Sequence, residues 1–523
     1  MEERANRKGI ILVLGLALAC ASFDLLVYFR PELWNHNSEY QWRVLEHGRK
    51  AMLVPVFLLW SALVSAGLWG FRRAAKRLSG RKLDALAAGL IFMLGILSPL
   101  VFFKIDRFGD YELLVRIFVE DHTGYFSDAM KFRTRAGLNK AFRENLASLS
   151  SHGRTHPPAD ALLFMGLNRL AESSGAVQGL YKMVVKDEVR RQIQEHFGTA
   201  IAGQAAGMAA LLMMLLAGGL SAVLGYFLGR RFSSPELGFI SMLALVSLPA
   251  FSAKTPVMDQ VYAVFILAAV LVALTHEKGR LWPGLIAGFI IGAGAWLSPS
   301  VWSAVFLIPL VLMARDLAAE PRKKFREIYE SLLVLGLSGF MAAGFALWLG
   351  SLATKINYID IFQLNRSGWF LNNTASGRIS AWKWLLFNPY EYFFWASLPI
   401  FLGCALQCYS AKRFAEQQAR CAGRRRVAAK HELGKSFIRI KNSWPNISRT
   451  EGFFAAAFVF ALLLNLSGQI CYESPRLCWF FLPILANFGI AGFADFAQSL
   501  HRKIWYLVLT LVSLQTSILI AIY

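Results

Sequence analysis

Four short groups of polar and ionisable side chains hold the chemistry that this sequence offers. Glu120, Asp121 and His122 stand together, and Asp128 follows after Gly124-Tyr125-Phe126. Arg154 and His156 precede a double proline, Pro157-Pro158. Asp259 is followed by Gln260, and Glu473 and Arg476 lead into the apolar run Leu477 to Leu482. A carboxylate whose pKa lies near the working pH can act as general base on a hydroxyl. Carboxylates also hold hard divalent cations. The planar fork of arginine takes two phosphate oxygens at once. Asp and Arg gathered on one face therefore fit transfer of a group from a phosphate-activated donor. HExxH and Walker A patterns are absent, and the nine histidines are scattered, which argues against a zinc centre. A carboxylate-held divalent cation is the one cofactor these residues would admit.

The elements that must position these groups are set by a lipid bilayer. The chain has 523 residues, 56% of them hydrophobic, with mean hydropathy +0.44. Apolar runs long enough to serve as membrane helices recur along most of it, separated by short polar connections. The reading is all-α: one integral membrane domain over residues 1–523, with about 13 transmembrane helices. The net charge of +22 does not point to nucleic acid. Its basic residues cluster between spans, where they set topology and meet anionic lipid headgroups.

Those clusters fix the expected topology. Arg4, Arg7 and Lys8 place the N-terminus inside, and Arg72 to Lys82 and Arg230-Arg231 mark the same side. The stretch 104–160 is then an outer loop. A second outer loop covers 351–389, and the densest basic segment, 410–450, is cytoplasmic. Expected spans include Leu237 to Phe251, Tyr262 to Leu274, Leu281 to Leu297 and Val301 to Met313. If Ala161 to Leu170 and Ala200 to Leu228 both cross, the parity of the chain fails unless a segment between them also crosses. Tyr181 to Phe197 is too charged for that, so Ala161 to Leu170 is read as dipping into the membrane or lying along it. All four polar groups then fall at the outer face. Charged groups kept near a bilayer mark functional sites more often than chance.

The 104–160 loop is itself patterned. Apolar residues recur at helical spacing at Phe108, Tyr111, Leu114, Val115 and Phe118, and again at Leu138, Phe142, Leu146 and Leu149. Charged flanks make these amphipathic helices that lie in the membrane interface. In the second loop Tyr358, Trp369, Phe370, Trp382 and Trp384 form an aromatic belt, or a platform for a sugar or lipid.

In order along the chain stand the acidic pair Glu120-Asp121, then Gly124-Tyr125-Phe126, then Thr155-His156-Pro157-Pro158. Thr255-Pro256-Val257-Met258-Asp259 and the ExxRxW-like element from Glu473 to Pro483 follow. This series resembles the polytopic glycosyltransferases of the GT-C fold, of the protein O-mannosyltransferase and aminoarabinose-transferase type. The resemblance implies a polyprenyl-phosphate-linked sugar donor and an inverting transfer at the outer face. It implies a glycan, lipid or protein acceptor and a bacterial cytoplasmic (inner) membrane. It also implies that an acidic residue of the first large loop is the base, with Asp121 and Asp128 as the two alternatives. Arg476 and Arg154 would meet the donor phosphate beside Glu473, and His156 would shape the site. Glu120, His122, Tyr125, Asp259 and Gln260 complete the candidate set. The acidic pair reads Glu-Asp where that family usually has Asp-Glu, and two extra spans precede the loop. A transporter or flippase of lipid-linked glycan precursors is the alternative class. It predicts paired halves with ionisable or broken helices near the midplane, whereas the charges here stand mostly at span ends.

Overall fold

The computed structural model describes residues 15, 18–20, 22–23, 50–105, 110–277, 280–319, 325–375, 396–407, 459, 479–500 and 504–522. Among the described residues the regular structure is helical, with no strand. Among the described residues four helices are long and apolar enough to cross a membrane: Ala51–Ala75, Gly80–Ile105, Ile201–Phe232 and Leu332–Thr354. Seven shorter apolar helices accompany them. This is the architecture of a helical membrane protein. Most of the expected first span, about Ile10 to Phe29, and all of the 410–450 segment, Glu473 and Arg476 lie outside the described residues.

The 32-residue helix Ile201–Phe232 is the axis of the bundle. It packs on Gly80–Phe102, Ala159–Ser173, Pro235–Val246 and Asp259–Ala273. Small residues permit the close approach. A side chain on Gly95 would come within 2.8 Å of the Gly219 backbone, so van der Waals contact runs backbone to backbone. At one end Arg230 forms an ion pair with Asp84, and the Tyr226 hydroxyl donates to the same carboxylate at 2.8 Å. Asp84 opposite Arg230 and Gly95 opposite Gly219 fix these two helices as antiparallel. Arg72 pairs with Glu236 at 2.8 Å.

That antiparallel pair constrains the connection between the two helices. Gly80–Phe102 runs away from the Asp84 end, and Ile201–Phe232 starts at the far end and returns. Everything between them therefore leaves from and comes back to the same end. Among the described helices in that interval none is both long and apolar enough to cross. Ala159–Ser173 buries Ala161, Phe164, Met165 and Ala171 against the bundle. Ala161 to Leu170 is thus part of a 15-residue helix that is not among those long and apolar enough to cross.

The expected span Leu237 to Phe251 is broken in two. Pro235–Val246 and Pro249–Ala253 are separate helices, because Pro249 has no N–H to donate. The orphaned carbonyls at the break are met by side chains. Ser98 donates to the Val246 carbonyl, and Thr516 donates to that of Ser247. Trp60 donates its ring N–H to the Ser247 hydroxyl at 2.9 Å. Non-helical backbone in an apolar setting is tolerated only with such partners. The span expected at Val301 to Met313 is a 3₁₀ turn, Pro299–Trp302, running into the helix Ser303–Ala319. The second stretch, 351–389, contains the helix Tyr358–Ala375, and 376–389 lie outside the described residues.

Candidate active site

The stretch between the two antiparallel helices folds into short helices: Asp110–Phe118, Glu120–Phe132, Arg135–Glu144 and Ser151–Thr155. The first amphipathic run expected from the sequence forms Asp110–Phe118. The second forms Arg135–Glu144 but ends there, because Asn145 leaves the helix at φ −148°, ψ 65° and Leu146 begins a separate 3₁₀ turn. The first buries Leu113, Leu114, Ile117 and Phe118, and the second buries Leu138, Ala141 and Phe142.

Glu120–Phe132 is kinked. Thr123 adopts φ −138°, ψ 54°, and its hydroxyl donates to the Arg116 carbonyl at 3.0 Å. Asp121 and Asp128, seven residues apart, thus stand on opposite sides of a break in the helix. The Asp121 side chain lies outside the described residues, Glu120 is exposed and His122 is half-buried.

Asp128 is buried and engaged by one residue. Its carboxylate accepts from the Ser150 N–H at 2.9 Å and from the Ser150 hydroxyl at 2.8 Å. The same hydroxyl accepts from the Gly153 N–H at 2.9 Å, which makes Ser150 the N-cap of Ser151–Thr155. Asp128 therefore ties the GYF segment to the turn that carries Arg154 and His156. Two glycines are required by this tether. A side chain on Gly124 would strike the Ser150 hydroxyl, and one on Gly153 would strike the Asp128 carboxylate. Burial raises the Asp128 pKa above the usual carboxylate value. The two Ser150 hydrogen bonds oppose that shift, and the charge of Glu120 adds to it.

Tyr125 is buried between two imidazoles. Its ring lies 5.7 Å from that of His152 and 5.3 Å, edge-on, from that of His156. His156 stacks on Tyr262 at 6.1 Å. The Tyr262 hydroxyl donates to Asp160. Asp160 is fully buried, and its other carboxylate oxygen has no hydrogen-bond partner. Burial pushes this carboxyl well above the usual range; the Tyr262 hydrogen bond opposes the shift, and the nearby Asp259 charge reinforces it. One cluster thus joins the GYF element, the THPP element and the start of Asp259–Ala273. Asp160, Tyr262 and His152 escaped the reading of the sequence. The signal for Asp160 was its place four residues after His156, on the first turn of a helix.

The remaining candidates brace the loop. Arg154 donates to the carbonyls of Leu149 at 2.9 Å and Ala147 at 3.3 Å. Gln260 donates to the Thr255 hydroxyl at 2.9 Å and accepts from the Val257 N–H at 3.4 Å. Arg116, which was not among the sequence candidates, clamps the two loops together. It donates to Ala253 at 2.6 Å and Thr255 at 3.4 Å, is held by Glu112 at 3.0 Å, and lies over the Phe103 ring. The late element is described only from Trp479 onward. The Trp479 ring packs 5.4 Å from Phe251, two residues before the Ala253 carbonyl that Arg116 holds.

The second stretch closes over the first. Asn139 and Arg143 donate to the carbonyls of Thr354 and Lys355, each at 3.0 Å. The helix Tyr358–Ala375 packs on Ser151–Thr155, and Tyr358 accepts from the Trp302 ring N–H at 2.9 Å. Among the described residues no group of three or more His, Cys, Asp or Glu side chains could hold a metal ion. No protein-family model, curated protein or solved structure matches the chain.

Proposed function

We propose that this chain is a glycosyltransferase. It moves a sugar from a polyprenyl-phosphate donor to a glycan, lipid or protein acceptor, within a GT-C-like bundle of about 13 membrane helices. On this reading the site is on the outer face of a bacterial inner membrane, and the reaction is inverting. The acceptor oxygen bonds to the anomeric carbon as the carbon–oxygen bond to phosphate breaks. A carboxylate takes the acceptor proton, and polyprenyl phosphate leaves. The observation that carries the reading is the Tyr125–His156–Tyr262–Asp160 cluster. Three motifs far apart in sequence meet there, at the end of the bundle where the 104–160 stretch lies.

Within this reading Asp121 is the base and Asp128 is a positioning residue, because Ser150 already holds both Asp128 oxygens. Arg476, beside Glu473, holds the donor phosphate, and His156 shapes the wall of the site. Arg154 supports its turn rather than the phosphate. The test is transfer of radiolabelled sugar from a panel of defined polyprenyl-phosphate donors by purified protein in lipid nanodiscs. Label in an acceptor fraction is expected. Donor carried across a sealed bilayer with no transfer would instead establish a flippase.

A further inference from the structure

The helix Tyr358–Ala375 turns one face toward the site. Tyr358, Ile361 and Asn365 recur on that face at helical spacing. Ile361 and Tyr358 pack into a small cluster with Trp296 and Ala159, the residue beside Asp160. The helix as a whole rests on Ser151–Thr155, the turn between His152 and His156. Asn365 follows one turn after Ile361. It is 5% exposed, and neither its carbonyl oxygen nor its amide nitrogen has a hydrogen-bond partner. Nearly all buried polar side chains in proteins are paired. An amide with both ends unpaired costs stability at a position where leucine would pack. Such a cost is retained where function needs the group.

We propose that Asn365 is a sugar-binding residue of the site, its carboxamide donating to one ligand hydroxyl and accepting from another. A carboxamide offers one acceptor oxygen and two N–H donors on one small plane. Neighbouring hydroxyls on a sugar ring present the complementary pair. Asp160, next in the chain to the Ala159 that packs on Ile361's cluster, has an unpartnered oxygen of its own. The proposal rests on the glycosyltransferase reading and names the residue that distinguishes a glycosylated ligand from a bare lipid phosphate. The sugar can belong to the donor or to the acceptor.

The experiment compares wild type with Asn365→Leu and Asn365→Ala in nanodiscs. Thermal unfolding is recorded without ligand. Binding is then measured for bare polyprenyl phosphate, hexosyl polyprenyl phosphate and a free oligosaccharide. Both variants should fold, with Asn365→Leu unfolding at or above the wild-type temperature. Affinity for the sugar-bearing ligand should fall about tenfold to a hundredfold, while that for bare lipid phosphate stays unchanged. Loss confined to the hexosyl lipid assigns the donor sugar, and loss confined to the oligosaccharide assigns the acceptor. Retention of the wild-type preference in both variants would overturn the proposal and leave the enzymatic reading standing. So would lower thermal stability with equal weakening of every ligand, which would make Asn365 a packing residue. A wild-type protein that binds none of the three probes would overturn the reading and this assignment together.

Discussion

Asp128 and Ser150 are joined twice, through the Ser150 N–H and through its hydroxyl. This doubled contact makes the GYF helix and the THPP turn one rigid piece. It accounts for a buried carboxylate without giving that carboxylate a proton to move. Removing Ser150 should therefore damage folding more than chemistry. Ser150→Ala takes away a helix cap, a change that typically costs about 0.5–2 kcal/mol. It also leaves one Asp128 oxygen without its partner. The expected result is a lower unfolding temperature, with residual activity in proportion to the folded fraction. Gly153→Ala should be worse, since the added methyl strikes Asp128.

The buried carboxyls set a pH dependence. Asp128 binds its proton more tightly in the folded protein than the ordinary value of 3.8. Above that value the unfolded chain releases the proton first, so the folded state binds more protons and stability falls as pH rises. The loss continues until pH passes the raised folded pKa. Asp160 acts in the same direction. Unfolding measured from pH 4 upward should show this decline. Asp128→Asn and Asp160→Asn should each flatten it. An unchanged slope in both variants would contradict the assignment.

Asp160 and Tyr262 are 102 residues apart in sequence and share one hydrogen bond. Neighbours in one network typically couple by about 0.5–3 kcal/mol. A double-mutant cycle of Asp160→Asn and Tyr262→Phe, read by denaturant unfolding, should show coupling in that range. Additive effects would separate the two groups.

Much of the architecture was legible because a bilayer imposes it. Apolar length marked the stretches that form the four helices long enough to cross a membrane. Two things were hidden. The break at Ser247 has a sequence signal in Pro249, but its partners, Trp60, Ser98 and Thr516, come from remote helices and no local pattern announces them. Asp160 reads as an ordinary acidic residue at a helix start, and only the approach of Tyr262 sets it apart. The kink between Asp121 and Asp128 was hidden as well. Thr123 leaves the helix between them, and its hydroxyl turns to the Arg116 carbonyl.

The topology can be tested on single cysteines. Ser127 lies in the stretch between the antiparallel helices, and exposed Arg77 lies at the Asp84 end. Ser127→Cys should react with an impermeant maleimide added outside intact cells, and Arg77→Cys only after lysis. Labelling of both from outside would contradict the arrangement.

The central claim is glycosyl transfer with Asp121 as base. It is tested most directly by the single-turnover rate of labelled-sugar transfer in wild type and Asp121→Asn, with donor affinity measured alongside. Loss of general-base assistance lowers the rate by about 10²–10⁴-fold. The account predicts a fall of that size in Asp121→Asn, with donor affinity unchanged. Full transfer by Asp121→Asn, or no transfer by wild type from any polyprenyl-phosphate sugar, would contradict it.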